Sequence, residues 1–221
     1  GLSTTFVFLK LDKDCPSVDF IKLQLMKFEP ENLYHIYNQG NNKQNIFDSK
    51  EDYIIFMNEI RALLLPHCEI VAYCLMPNHF HLMVYTDTRN LEQVKQGVVM
   101  IDPLSNGIRK LLSGYARIYN KKYERSGSLF RQKTKSKLLT TGTVVTGSPL
   151  ELTDYTEICF HYIHQNPFKA GLVNKLENWE YSSFKDYAGL RNGTLCNKEL
   201  AKKFCYYDPS DFVQVSYRTI F

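Results

Sequence analysis

The alternation of apolar and polar positions along the chain predicts strands and helices in turn. Short apolar and aromatic runs at 33–37, 69–75 and 79–85 are typical of strands. Between the first two runs, apolar residues at helical spacing predict a helix that ends at Pro66. The break at 76–78 is short enough for a hairpin, so it favours an antiparallel sheet.

The second half of the chain continues this mixture of elements. Further predicted elements are helices over 91–99 and 105–123, a strand over 134–139 and a loop over 140–149. The pair Thr153-Asp154 is a helix start signal, and it predicts a helix that reaches about Asn166 and is stopped by Pro167. Together the elements predict a two-layer α+β domain with a central antiparallel sheet flanked by helices.

Composition narrows the class of protein without deciding it. The chain has 221 residues and a net charge of +4, which permits a nucleic-acid partner without demanding one. No apolar run approaches the roughly 18 to 20 residues of a membrane helix, and no basic stretch precedes the apolar N-terminal residues, so we expect a cytoplasmic protein. Six irregularly spaced cysteines predict reduced thiols, not a disulfide framework or a zinc site.

A basic and aromatic stretch between residues 109 and 137 is more informative than the total charge. Its aromatic members are Tyr115, Tyr119, Tyr123 and Phe130. Its basic members are Arg109, Lys110, Arg117, Lys121, Lys122, Arg125, Arg131, Lys133, Lys135 and Lys137. Basic side chains neutralise phosphates and aromatic rings stack on unpaired bases, so the stretch fits a nucleic-acid surface. It equally fits a helix with a solvated basic face above packed aromatics.

The sharpest local feature is His79-Phe80-His81 on a predicted strand. Side chains two residues apart on a strand share a face, so both imidazoles could bind one cation. Two histidines need a third protein ligand, and the alternative is that core hydrogen bonds satisfy them. Hydrolases of the metallo-β-lactamase type and barrel amidohydrolases also use a His-x-His pair, but their other requirements fit this chain badly.

A second candidate lies on the predicted helix that ends at Pro167. Tyr162 and Asn166 are four residues apart and therefore share one helical face. If that face covers the histidine pair, Asn166 could supply an amide oxygen to the metal. Tyr162 would then place a phenol beside a phosphate that the metal polarises. Any one of fifteen tyrosines is more often structural.

Five ordered stretches of the chain resemble the HUH-type tyrosine transposases, especially their REP-associated branch. The stretches are 34–42 (YHIYNQGNN), 72–82 (AYCLMPNHFHL), 125–130 (RSGSLF), 162–173 (YIHQNPFKAGLV) and 179–184 (WEYSSF). The resemblance implies a ferredoxin-like antiparallel sheet with the histidine pair on a central strand. It also implies that His79, His81 and Asn166 bind Mg²⁺ or Mn²⁺, with Gln165 as the alternative third ligand.

The same resemblance implies a transposase that cuts single-stranded DNA. Tyr162 would attack a phosphodiester, keep the 5′-phosphate and release a 3′-OH, at hairpin-associated sites of repeated palindromic elements. Tyr115, Tyr119 and Tyr123 remain alternative nucleophiles. The residues expected to bind DNA are Arg117, Lys121, Lys122, Arg125, Arg131, Lys133 and Lys135. The resemblance further implies a monomer or homodimer associated with the nucleoid of a prokaryote.

The resemblance divides the chain into a domain at 26–190, an N-terminal extension at 1–25 and a C-terminal extension at 191–221. Two other functions stay open at this point. A protein of the same fold could bind DNA hairpins without cutting them. A metal-dependent hydrolase of small phosphoesters would need neither the basic and aromatic stretch nor a nucleophilic tyrosine.

Overall fold

The computed structural model describes residues 27–90, 92–96, 99–140 and 149–218, and these form six strands and six α-helices. The strands are β1 (Asn32–Gln39), β2 (Glu69–Met76), β3 (His79–Thr86), β4 (Val94–Gln96), β5 (Val99–Ile101) and β6 (Lys135–Leu138). The helices are α1 (Lys50–Leu63), α2 (Pro103–Lys122), α3 (Pro149–Lys169), α4 (Phe184–Tyr187), α5 (Lys198–Cys205) and α6 (Phe212–Arg218). Within these ranges, no helix has the length and apolarity needed to cross a membrane.

The main sheet has the strand order β2-β3-β1-β6, and every neighbouring pair is antiparallel. Helices α1 and α2 are the crossovers between β1 and β2 and between β3 and β6. This order and connectivity are those of a ferredoxin-like fold, so the predicted antiparallel sheet flanked by helices is confirmed. Helices α3, α5 and α6 cover the second face of the sheet as a further layer.

The period-two pattern of β3 divides the core into two parts. Phe80, Leu82 and Val84 pack on the side of α1 and α2. His79, His81 and Met83 alternate with them and therefore point to the opposite face, where Met83 packs under α3. The strand thus buries one apolar face completely and offers the other to a polar site.

The predicted helix over 91–99 is wrong. Residues 94–96 and 99–101 form the antiparallel hairpin β4–β5, with Val94 paired to Ile101 and Gln96 to Val99. Three of these residues are β-branched, which costs helix propensity and favours extended backbone. The helix begins only at Pro103, behind the cap Asp102, whose carboxylate accepts a hydrogen bond from the backbone N–H of Ser105.

The helix α3 is longer than the sequence predicts at both ends. It begins at Pro149 and continues through Pro167 to Lys169. Proline lacks the N–H that would bond the carbonyl of Ile163, but Asn166 Nδ2 lies 3.4 Å from that carbonyl and 2.8 Å from the carbonyl of Tyr162. The asparagine side chain therefore compensates for the proline within the last turn. The predicted loop over 140–149 falls mostly on residues outside the described ranges.

Residues on both sides of position 190 share one core. The segment 181–197 borders the outer edge of β2, with Leu75 N donating to Tyr181 O at 2.8 Å and Asn197 N to Ile70 O at 2.8 Å. Helix α6 packs on α3, where Ser216 Oγ lies 2.8 Å from Nδ1 of His161. The C-terminal residues up to 218 therefore support the helix that carries Tyr162.

Five of the six cysteines lie in the described part of the chain, and all five are free thiols. They are Cys68, Cys74, Cys159, Cys196 and Cys205. Burial raises the pKa of each of them, to about 12 for Cys159 and Cys196, so the sulfurs stay protonated near neutral pH. For these five the expectation of reduced thiols is confirmed, and Cys15 lies outside the described residues.

The buried His161 predicts a loss of stability in acid. Burial lowers the pKa of His161 to about 4. Between pH 6.5 and 4 this histidine is therefore protonated in the unfolded chain and neutral in the folded protein. The free energy of unfolding therefore has its full value above pH 6.5 and decreases towards pH 4. His161 alone lowers it by about 2–3 kcal/mol at pH 4.5. Urea unfolding of wild type and His161→Gln at pH 7.0 and 4.5 measures it. We expect a smaller pH dependence in the variant, and an equal dependence in both proteins would contradict the assignment.

Candidate active site

Two strands place histidines on the face of the sheet that α3 covers. His79 and His81 lie on β3, and their partners on β1 are Gln39 and Tyr37. His35 is two residues before Tyr37 and so shares its face. The ring centroids of His79 and His81 lie 5.0 Å apart, as do those of His35 and His81. Three imidazoles therefore meet at the centre of the sheet.

Helix α3 brings Tyr162 to these histidines. Its ring centroid is 5.6 Å from that of His81 and 6.2 Å from that of His35, with the rings edge to face in both pairs. Tyr162 is 40% exposed, so the phenol remains accessible from solvent while its ring packs on the site. The Tyr162 face of the helix therefore covers His81 and His35.

The imidazole of His79 is oriented by its neighbour. Its Nδ1 lies 2.6 Å from Oδ1 of Asn78, whose Nδ2 donates to the carbonyl of Lys43 at 3.3 Å. An amide oxygen only accepts, so Nδ1 of His79 carries the proton. Nε2 of His79 is then left with its lone pair, which is the form that binds a metal.

The imidazole of His81 has one buried nitrogen with a partner and one without. Nδ1 lies 2.9 Å from Nε2 of His35, whereas Nε2 has no hydrogen-bond partner among the described residues. Burial lowers the pKa of His81 well below its ordinary value, helped by the nearby His35 and His79. Burial also lowers the pKa of His79, and burial with the charge of Lys137 lowers that of His35 to about 4. All three rings are neutral near pH 7.

The third predicted ligand, Asn166, lies beside Tyr162 on α3. Its Nδ2 is held by the helix carbonyls of Tyr162 and Ile163, so the orientation of the amide is set. The alternative, Gln165, is 1% exposed and donates from Nε2 to the carbonyl of Ser216 at 2.8 Å. Gln165 thus ties α3 to α6, whereas Asn166 bonds to carbonyls within α3.

These residues fit a divalent cation bound by nitrogen and oxygen. An unpartnered buried nitrogen costs roughly 1–3 kcal/mol, and a cation at Nε2 of His81 would remove that cost. Among the described residues, no three His, Cys, Asp or Glu side chains are grouped to hold a metal by themselves. The predicted ligand set therefore consists of two imidazoles and one amide oxygen, from Asn166 or Gln165.

Tyr162 is a phenol and not a phenolate near neutral pH. Burial raises its pKa above 10, with smaller contributions from Cys159 and other groups, while a hydrogen bond with the Asn166 side chain lowers it. Nucleophilic attack by Tyr162 therefore requires loss of its proton during the reaction or a strongly polarised phosphate.

The alternative tyrosines point into the other half of the molecule. Tyr115 donates to the carbonyl of Ile46 at 2.5 Å, Tyr119 to a carboxylate oxygen of Asp48, and Tyr123 to Asp52 at 2.7 Å. Tyr115 and Tyr119 are buried in the core under α1 and α2. They therefore lie across the sheet from the histidines and serve as packing and hydrogen-bonding residues.

The predicted DNA-binding residues fall into three groups. Lys122 and Arg125 are engaged: Lys122 pairs with the buried Asp52 at 2.8 Å, and Arg125 donates to Gln44 Oε1 at 2.6 Å. Arg117 and Lys121 are exposed on α2. Arg131 and Lys133 line a groove of about 430 Å³ between α2 and the segment that leads into β6, and Lys135 is exposed on β6 itself.

The basic residues after α2 extend from the α2 side of the sheet to the edge strand β6, which borders the face that carries the histidines. Lys135 pairs with Tyr37 across β1 and β6, and Lys137 pairs with His35. Residues paired in this way share a face of the sheet. The Nζ of Lys137 lies 4.1 Å from the ring centroid of Tyr155 on α3. The β6 edge therefore places positive charge beside Tyr155 of α3 and near His35.

Comparisons with known proteins find similar proteins in sequence and in fold. A Haemophilus influenzae (strain KW20 / Rd) protein whose name assigns it to the REP-associated tyrosine transposases is 27% identical over 139 residues, 58% of this chain and 69% of that protein. A solved REP-associated tyrosine transposase bound to a REP hairpin superposes with a TM-score of 0.50. It is 16% identical, over 78% of this chain and 92% of that one. The chain is similar to the REP-associated tyrosine transposases. No protein-family model matches the sequence.

This finding confirms the resemblance to the REP-associated tyrosine transposases, and the solved structure bears on the fold alone. Sequence reasoning gave no role to His35, although it lies within the stretch 34–42 that carries the resemblance. The period-two pattern of β1 places His35 on the face of Tyr37, but its contact with His81 joins residues 46 positions apart. The strand pairing was needed to find it.

Proposed function

We propose that the protein is a metal-dependent single-strand DNA endonuclease and strand transferase, a transposase that uses Tyr162 as its nucleophile. The carrying observation is the position of Tyr162 over two neutral histidines, one of which has a buried nitrogen without a partner. His79, His81 and Asn166 would hold Mg²⁺ or Mn²⁺. A bound divalent cation would supply electrostatic polarisation of a DNA phosphate.

The proposed cleavage is a transfer between oxygens. The Tyr162 hydroxyl oxygen attacks the phosphorus of a phosphodiester, and the bond from phosphorus to the 3′-oxygen breaks. The phenolic proton is lost and the departing 3′-oxygen gains one, so the products are a 5′-phosphotyrosine and a free 3′-OH. The reverse reaction with another 3′-OH rejoins DNA without an external energy source.

The DNA substrate is proposed to be a single strand beside a hairpin in repeated palindromic elements. Both relatives carry the name REP-associated tyrosine transposase, and the solved one is bound to a REP hairpin. In this chain the exposed basic residues run from α2 through Arg131 and Lys133 to Lys135 on β6. A DNA single strand bound along these basic residues would pass the edge of the sheet and reach Tyr162.

Covalent trapping tests the proposal. The protein is incubated with labelled single-stranded hairpin oligonucleotides from its own genomic neighbourhood, with Mn²⁺ or with EDTA, and run on denaturing gels. We expect a Mn²⁺-dependent covalent adduct with wild type and none with His79→Ala. Tight hairpin binding without any adduct would favour a DNA-binding protein that does not cut.

We expect replacement of Lys135 to weaken DNA binding. Its ammonium lies at the exposed sheet edge beside the site, so Lys135→Gln should weaken single-strand binding and reduce the slope of log K against log salt by about 1. Fluorescence anisotropy across a salt series measures both quantities. The matched control is Lys122→Gln, because the Lys122 ammonium is engaged with Asp52 and should contribute to stability instead. Equal losses of affinity in the two variants would contradict the proposed path.

A further inference from the structure

His35 contacts the proposed metal ligand His81 but is not itself a proposed ligand. Its Nε2 lies 2.9 Å from Nδ1 of His81, and both imidazoles are buried. Two neutral rings share one proton along such a contact, so either His35 or His81 is the donor. The choice decides which nitrogen of His81 keeps a lone pair.

The two arrangements have different consequences for Nε2 of His81. If His35 donates, His81 carries its proton on Nε2, and a buried N–H is left without an acceptor among the described residues. Such an N–H also cannot bind a cation. If His81 donates from Nδ1, its Nε2 presents a lone pair into the site, where a cation can bind.

We propose that His35 is a positioning residue that accepts the Nδ1 proton of His81 and so keeps the Nε2 lone pair of His81 available for a divalent cation. This inference rests on the proposed function, because it assigns His35 to the same metal site. In the same way, the amide oxygen of Asn78 accepts the Nδ1 proton of His79. The two proposed histidine ligands are then each held in the Nδ1–H form by a separate partner.

The tautomer of His81 is measurable without metal or DNA. Long-range ¹H–¹⁵N NMR of the ¹⁵N-histidine-labelled protein distinguishes Nδ1–H from Nε2–H imidazoles, and a His81→Gln sample assigns the signal. We expect the Nδ1–H form in wild type. We expect the same form in His35→Gln, whose amide oxygen can still accept, and a mixed or Nε2–H form in His35→Leu, which fills space without an acceptor. An Nε2–H tautomer in wild type would overturn the proposal.

Metal affinity gives the second readout. Mn²⁺ binding is measured by titration calorimetry and by the electron paramagnetic resonance signal of free Mn²⁺, without DNA and therefore without turnover. His35→Leu should bind Mn²⁺ roughly 10- to 100-fold more weakly than wild type, whereas His35→Gln should stay within about threefold. His161→Gln is the matched control, because it changes a buried histidine whose partner is Ser216 and should leave Mn²⁺ affinity unchanged.

The outcomes separate this inference from the proposed function. Equal Mn²⁺ affinity in wild type and His35→Leu overturns the positioning role and leaves the nuclease proposal intact. No Mn²⁺ binding by wild type contradicts the metal site itself. Equal weakening in His35→Leu, His35→Gln and His161→Gln would show a general effect of altering buried histidines and would also overturn the positioning role.

Discussion

Tyr162→Phe is expected to abolish covalent adduct formation and strand cleavage. The variant removes only the hydroxyl oxygen that would form the phosphotyrosine, so cleavage should fall by on the order of 10³-fold or more. The ring contacts with His35 and His81 are kept, so the site should stay assembled. Hairpin affinity should remain within about tenfold, since one hydrogen bond contributes about 0.5–1.5 kcal/mol.

Single-turnover cleavage and anisotropy of the same labelled hairpin measure the two expectations for Tyr162→Phe. The matched control is Tyr119→Phe, because Tyr119 lies across the sheet with its hydroxyl at Asp48. The control should cut at a rate close to wild type. A Tyr162→Phe protein that still forms the adduct, or a Tyr119→Phe protein that does not, would move the nucleophile to α2.

Asp186→Ala is expected to cause a large loss of stability. The Asp186 carboxylate is 2% exposed and accepts from Arg191 Nε at 2.7 Å, from Arg191 Nη2 at 2.9 Å and from Gly193 N at 3.1 Å. Its removal leaves Nε of Arg191 and the backbone N–H of Gly193 without their acceptor, whereas the other two guanidinium nitrogens keep acceptors on Glu180 and Ser182. Two unsatisfied donors cost about 2–4 kcal/mol together, which lowers the melting temperature by roughly 4–16 °C in a chain of this size.

Glu180→Ala is the matched control for Asp186→Ala, because both carboxylates bind Arg191. Glu180 is exposed and its oxygen lies 3.3 Å from Nη1 of Arg191, so its loss should cost less than about 1 kcal/mol. Thermal unfolding of the three proteins gives the comparison. Similar small losses in both variants would show that the buried carboxylate does not anchor the segment 180–193 against β2.

The strands and the histidine pair were predictable because their signals are local. The alternation in 79–85 specifies a strand with one apolar face, and His-x-His places two imidazoles on the other. The spacing of Tyr162 and Asn166 predicts a shared helical face, and the structure places both side chains together. Patterns within a few residues of the chain determine which side chains share a face of a strand or helix, so the sequence alone predicts them.

Other features depend on contacts that no local pattern contains. The region 91–99 has helical spacing, yet its β-branched residues form the hairpin β4–β5. The helix α3 passes Pro167 because the side chain of Asn166 takes up the carbonyl that proline leaves. Lys122 lies in the basic stretch of the sequence, and its ion pair with Asp52, seventy positions earlier, is a contact that no local pattern contains.

Identifying the amino acid that becomes linked to DNA tests the central claim most directly. Wild-type protein is reacted with a single-stranded hairpin substrate and Mn²⁺, the bound DNA is trimmed with nucleases, and tryptic peptides are sequenced by mass spectrometry. We predict a 5′-phosphonucleotide on Tyr162. A modification on Tyr115, Tyr119 or Tyr123, or no modified peptide under conditions in which the hairpin is bound, would contradict the account.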